Sequence, residues 1–151
     1  MLKEGDPAPN IQLETDTGEP FELTANRGKK IVLYFFPRAD TPGCTTESCE
    51  FRDSSTAFDR KTAVVLGISP DTPKAQTQFK NKYGLNFTLL CDIDKKAAMD
   101  YGVLKEKNMY GKKVMGIERT TFLIGEDGRI EKIFSKVKPA GHAQEVLAAL
   151  S

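Results

Sequence analysis

The residues in this chain with the greatest capacity for chemistry are its three cysteines, two of which lie in TPGCTTESC as Cys44 and Cys49. Two thiols five positions apart, just behind a proline and a glycine, suit a ligand pair for a soft metal, a structural disulfide, or sulfurs that meet only during a reaction. A zinc site lacks a second ligand pair, because Cys91 and the single histidine, His142, are far apart in sequence. On a helix starting near Cys44, the two thiols differ by about 500° of rotation and about 7.5 Å of rise, which puts their α-carbons about 8.7 Å apart. That exceeds the roughly 7 Å within which two cysteines bridge without backbone movement. A disulfide then forms only if the first turns unwind, and a structural staple would destroy the helix that carries it. A fourth, inert reading stays open on spacing alone, with both cysteines serving as small hydrophobes.

Position separates the two sulfurs. The unpaired N–H groups and positive dipole end of a helix N-terminus favour a thiolate at Cys44, which makes it the nucleophile. Cys49, about a turn and a half further on, lacks that help. It is the natural second thiol, attacking after Cys44 has been oxidised and the helix has opened.

Elements with recognisable patterns must position this pair. KIVLYFFP, residues 30 to 37, is a nearly continuous apolar run closed by Pro37, as in a central strand buried on both faces. Residues 44 to about 60 have a helix-like distribution of Phe51, Ala57 and Phe58, and Thr41-Pro42-Gly43 supplies the turn and helix start. TAVVLGISP, residues 62 to 70, is a second buried strand, so the stretch reads as a right-handed βαβ unit. Asp71-Thr72-Pro73 begins a helix to about Tyr83, followed by the strand FTLLCD and a short helix from Asp94 to Tyr101. RTTFLI and RIEKIFS flank the turn Gly125-Glu126-Asp127-Gly128 as an antiparallel hairpin, and HAQEVLAAL closes as an amphipathic helix. Ahead of all this, IQLETDTGEPFEL alternates about Thr17-Gly18 and predicts an added N-terminal β-hairpin. Periodicity alone supports an α/β class. The order βαβ, α, ββα matches a thioredoxin-like layer structure; the finer label, a thioredoxin-like fold with a central mixed β-sheet flanked by helices, leans on family likeness.

The whole chain narrows the function classes. At 151 residues with 39% hydrophobic content, it predicts one domain, residues 1–151, able to bury a core without disulfides. Twenty-two basic against twenty-one acidic residues leave no electrostatic footprint for nucleic acid or an anionic membrane. MLKEGDPAPN lacks a secretory pattern, no apolar run approaches the roughly 18 residues of a membrane span, and the odd cysteine count suits a reducing compartment. These features predict a cytoplasmic protein acting on a small substrate.

Pro37-Arg38-Ala39-Asp40-Thr41-Pro42-Gly43-Cys44 matches the P-x-x-x-T-x-x-C signature of peroxiredoxins, and TPGCTTESCEFRD resembles the bacterioferritin-comigratory, or peroxiredoxin Q, subfamily. The likeness extends through GDPAPN, GIERTTFLI and KVKPAGH. It implies a thioredoxin fold and a thiol peroxidase for hydrogen peroxide and organic hydroperoxides, with Cys44 the peroxidatic residue and no cofactor or metal. It implies that Pro37 shields the site, that Thr41 hydrogen-bonds the peroxide and the sulfur, and that the Gly43 and Cys44 amides bind alongside. Arg119 takes the place of the family arginine, which stabilises the thiolate and the charge developing as the O–O bond breaks. Glu47 takes the place of the glutamate that orients that arginine. Cys49 occupies the resolving position, which implies an intramolecular Cys44–Cys49 disulfide reduced by thioredoxin or a similar dithiol, in a monomeric or weakly associating protein. Cys91 reads as a buried strand residue and His142 as structural.

Two rival classes share these thiols. A thioredoxin-type dithiol oxidoreductase normally carries C-x-x-C, which the longer spacing disfavours. A non-enzymatic redox sensor would use the same pair stoichiometrically, consuming one equivalent of peroxide where a catalyst consumes many.

Overall fold

Residues 31–35 are apolar without a break because both faces of the strand they form are covered. The computed structural model describes residues 2–150. Two short antiparallel strands, β1 (Gln12–Thr15) and β2 (Pro20–Glu22), come first, with Leu13 opposite Phe21, and form the expected hairpin. The strand β3 (Lys30–Phe35) pairs in parallel with β4 (Ala63–Ser69), Leu33 facing Leu66. Between them lie α1 (Pro42–Asp53) and α2 (Ser55–Arg60). Next come α3 (Pro73–Tyr83), β5 (Thr88–Cys91) and α4 (Lys96–Asp100). A hairpin of β6 (Leu104–Met109) and β7 (Lys112–Ile117) precedes β8 (Thr120–Ile124), β9 (Ile130–Phe134) and α5 (His142–Ala149). The seven-stranded mixed sheet runs β2-β1-β5-β4-β3-β8-β9, while β6 and β7 form a separate two-stranded sheet. This is the thioredoxin-like arrangement.

Alternation along β3 builds two cores. Val32, Tyr34 and Phe36 pack with Phe51, Phe58, Phe79 and Val146, which come from the helices α1, α2, α3 and α5. Ile31, Leu33 and Phe35 pack on the other face with Ala97, Ala98, Tyr101 and Phe122. Phe51 fixes α1 to the sheet: it is fully buried, and its ring stacks on Tyr34 at 4.7 Å between centroids. Truncating a phenylalanine so placed costs about 3–5 kcal/mol. Tyr34 reaches under α1 to share a 2.7 Å hydrogen bond with the buried hydroxyl of Ser48. Gly67 makes room for it, since a Cβ there would lie 2.8 Å from the tyrosine oxygen.

Three local expectations are corrected. The single helix over 44 to about 60 is two helices: α1 starts earlier, at Pro42, and the chain breaks at Ser54, whose amide bonds to the Glu50 and Phe51 carbonyls. The helix expected from Asp94 to Tyr101 is only Lys96–Asp100, because Lys95 adopts a left-handed conformation at φ 59°. The β6–β7 hairpin is additional to the βαβ, α, ββα order. Helix α3 starts where expected, capped by Thr72, whose hydroxyl accepts from the Ala75 amide at 3.2 Å, and Gly84 ends it at φ 60°.

Candidate active site

The site forms where β3 ends and α1 begins. Phe36 still bonds to the sheet through the Ile68 carbonyl, and the half-buried Pro37, which has no N–H, follows it. The next residues are held from the side. The Ala39 amide donates to Asp71 Oδ2 at 2.8 Å, and the same carboxylate oxygen accepts from the Ser69 hydroxyl at 2.7 Å. Asp40 then turns the chain in a left-handed conformation, φ 60°, into Thr41, which is extended at the N-cap position of α1. Pro42 occupies the first turn, where its missing N–H costs nothing and its fixed φ suits a helix.

The first bond of the helical ladder runs from the Thr45 amide to the Thr41 carbonyl at 2.8 Å. The amides of Gly43 and Cys44 therefore lie ahead of the ladder, at the positive end of the helix. Cys44 is completely buried. Arg119, between β7 and β8, brings Nη2 to 3.3 Å from the Cys44 sulfur and Nη1 to 2.7 Å from Glu47 Oε1. Glu47 lies three residues after Cys44, on the same helical face, so one planar guanidinium serves both.

Gly43 is what allows the approach. A Cβ at that position would lie 3.2 Å from Arg119 Nη2 and 3.3 Å from Pro139 Cγ. Pro139 belongs to the segment between β9 and α5, which is tied down at two points. The Val137 amide donates to the Arg119 carbonyl at 2.9 Å, and the Gly141 amide to Glu50 Oε1 at 2.8 Å.

Burial shapes the charges. It pushes the Glu47 carboxyl up to about 7 against the pull of Arg119, and leaves Oε2 buried with no hydrogen-bond partner. For Arg119, burial opposes the charge, but Glu47 and Cys44 outweigh it and raise the guanidinium's hold on its proton. The cluster is thus a half-buried cation facing a buried sulfur on one side and a buried carboxyl on the other.

Cys44, Gly43, Glu47 and Arg119 come together as one constellation, with Pro37 and Thr41 on the segment leading into it. The Thr41 hydroxyl donates at 3.0 Å to the Arg38 carbonyl and not to the sulfur, which leaves its oxygen free to accept. Cys49 stands apart, half-buried in an unbroken α1, and all three cysteines are free thiols. Cys91 is a buried strand residue. Burial, followed by Asp16 and Glu14, pushes its thiol up to about 12, so it stays protonated and unreactive. His142 is structural in its contacts: buried at the start of α5, it lies within 2.7 Å of the Thr121 hydroxyl through Nε2 and 2.8 Å of Glu145 through Nδ1. Burial lowers its proton affinity, so a neutral ring donates to Glu145 and accepts from Thr121. Sequence reasoning missed Asp71, Pro139 and Tyr34, whose links to the site run between distant segments without a local pattern.

Among the described residues, no cluster of three or more histidine, cysteine or acidic side chains could hold a metal. No helix there is long and apolar enough to cross a membrane.

The AhpC/TSA family profile matches residues 4–133. A protein named as a putative peroxiredoxin bcp from Coxiella burnetii is 50% identical over 149 residues, 99% of each chain. Peroxiredoxin Bcp of Bacillus subtilis is 47% identical over 146 residues, 97% of this chain and 93% of its own. A structure of the Xanthomonas campestris bacterioferritin comigratory protein, from work on its alkyl peroxide reduction, superimposes with a TM-score of 0.89 at 44% identity, covering 93% of this chain and 89% of that one.

Proposed function

The chain belongs to the AhpC/TSA family, among its bacterioferritin-comigratory peroxiredoxins, and for this thiol-dependent peroxidase we propose the following roles and sequence of events. Cys44 attacks the distal oxygen of a hydroperoxide as a thiolate. The S–O bond forms as the O–O bond breaks, leaving a sulfenic acid and an alkoxide or hydroxide that takes a proton to become an alcohol or water. The observation that carries this assignment is the Arg119 guanidinium 3.3 Å from the Cys44 sulfur, with Glu47 holding its other nitrogen. A fixed cation there stabilises the thiolate before attack and the charge moving onto oxygen during it, inside a site with little water to screen it.

The two amides ahead of the α1 ladder and the Thr41 oxygen receive the peroxide: the amides donate to it, and the threonine accepts its O–H. Pro37 walls the site with carbon and adds no competing donor. Gly43 leaves space for the guanidinium.

The Cys49 thiol then condenses with the Cys44 sulfenic acid, forming a disulfide and releasing water, once the turns between them have opened. Thioredoxin or a similar dithiol returns both thiols by exchange. The protein acts as a single cytoplasmic domain, monomeric or weakly associating, on hydrogen peroxide and organic hydroperoxides, without metal or cofactor.

The test is one equivalent of peroxide added to reduced protein, followed by peptide mass analysis. Loss of two hydrogens mapped to a 44–49 crosslink is the expected result, with many equivalents consumed once a dithiol reductant is supplied. Both cysteines remaining alkylatable after oxidation would overturn the cysteine assignments. Consumption that stopped at one equivalent with the reductant present would indicate a stoichiometric sensor.

A further inference from the structure

Tyr83, the last residue of α3, touches the chain at both ends of α1. Its hydroxyl donates to Asp40 Oδ1 at 2.6 Å, two residues before the helix, and its main-chain carbonyl accepts from Nη1 of Arg52, in the last turn. Neighbours reinforce each contact: Lys82 Nζ lies 2.9 Å from Asp40 Oδ2, and the Asn86 amide donates to the Ser55 hydroxyl at 3.0 Å. The ring is itself fixed, edge-on to the buried Phe79 at 5.6 Å. We propose that Tyr83 is a latch that holds α1 wound, and so a positioning residue that sets how fast Cys49 can reach Cys44.

The geometry at Asp40 supplies the coupling. Its left-handed backbone is less favourable than an extended one, though aspartate tolerates it better than most residues, and it is needed because the chain must turn from Ala39, held by Asp71, into the helix at Pro42. When the first turns of α1 unwind, that turn is no longer demanded. Asp40 relaxes to an ordinary extended φ, and its carboxylate leaves the tyrosine. The Tyr83 bond therefore exists only while α1 is wound, and it opposes the release of backbone strain beneath it. The latch sits on the side of α1 facing α3, apart from the Arg119 contacts, so it governs opening without touching the peroxide. This inference rests on the roles given above to Cys44 and Cys49, but opening can be measured without them.

The test compares wild type with Tyr83→Phe, which removes the hydroxyl and keeps the ring on Phe79. In the reduced protein, amide hydrogen exchange at residues 45–50 is expected to quicken about five- to tenfold, the net worth of one ordinary hydrogen bond at an exposed site, with β3 amides unchanged. The first reaction with peroxide stays at the wild-type rate, disulfide formation speeds up by the same factor, and more peroxide is needed to drive Cys44 to sulfinic acid. On an Asp40→Ala background, Tyr83→Phe is expected to change nothing further. Unaltered exchange at 45–50, equal acceleration throughout β3, or an undiminished effect on the Asp40→Ala background would overturn the latch. Faster exchange in a protein that forms no 44–49 crosslink would leave the latch standing and remove Cys49 as its beneficiary.

Discussion

Arg119 reaches Cys44 across the bare face of Gly43, so the residue beside the nucleophile on α1 is there for space as much as for conformation. A methyl group at 43 would stand 3.2 Å from the guanidinium nitrogen that contacts the sulfur, with Pro139 preventing retreat on the other side.

Gly43→Ala is therefore expected to separate stability from activity. Alanine improves the helix by up to about 0.5–1 kcal/mol. It also displaces Arg119 by a few tenths of an ångström, which lowers the peroxide rate about tenfold. Chemical denaturation and stopped-flow peroxide reduction on the same sample check both halves. A variant that was more stable and fully active would show that the close packing at Gly43 is idle.

Replacing Arg119 with lysine keeps the charge and loses the fork. An ammonium cannot bond Cys44 and Glu47 at once in the plane that the guanidinium occupies. Arg119→Lys should lower the rate of Cys44 oxidation about 10²- to 10³-fold, as removal of one preorganised donor does elsewhere. Single-turnover kinetics with hydrogen peroxide check this, and a loss of less than about tenfold would mean that charge alone suffices.

Glu47 gives a pH signature in stability. Its carboxyl is raised from 4.5 to about 7 in the folded protein, chiefly by burial, so between those values the unfolded chain releases a proton that the folded chain retains. Folded protein then binds more protons than unfolded, and this group's contribution falls as pH rises through the window, by at most about 3 kcal/mol. The lowered proton affinity of His142 acts in the opposite sense below its ordinary value of 6.5, and does so equally in wild type and in Glu47→Gln. The difference between their urea midpoints across pH 4.5 to 7 isolates the glutamate. Its stability advantage should shift toward Glu47→Gln as pH rises, and a pH-independent difference would mean that Glu47 is already ionised at the low end.

How much of this was legible follows from where each signal is stored. KIVLYF and AVVLGIS announce buried strands because both faces are apolar, and Pro42 announces a helix start because its ring fixes φ. The β6–β7 hairpin was missed because LKEKNM and KKVMGI expose most of their length and carry no apolar alternation. Its one cue is the turn Tyr110-Gly111, with φ 53° and 77°. The break at Ser54 has neither glycine nor proline to mark it. Cys44, Cys49 and the helix-end argument could be reached from spacing, whereas Arg119 and Glu47 were indicated by family likeness alone, since an isolated arginine before a strand carries no instruction. Tyr83 and Asp40, 43 positions apart, left no trace in the sequence.

The wound α1 makes Cys49 dispensable for the first chemical event and necessary for the cycle. Cys44 meets Arg119 and Glu47 without help from residue 49, whose thiol is half-buried elsewhere on an intact helix. Cys49→Ser should therefore reduce one equivalent of peroxide at the wild-type rate and then stop, even with a dithiol reductant present. The stalled sulfenic acid has no partner within reach, because Cys91 is a protonated strand thiol bonded toward the Thr15 carbonyl at 3.7 Å. Further peroxide should then convert it to sulfinic acid, read as a gain of two oxygens on the peptide holding Cys44. Sustained turnover in Cys49→Ser would transfer the resolving role to the external reductant, and a 44–91 crosslink would mean that the sheet opens along with the helix.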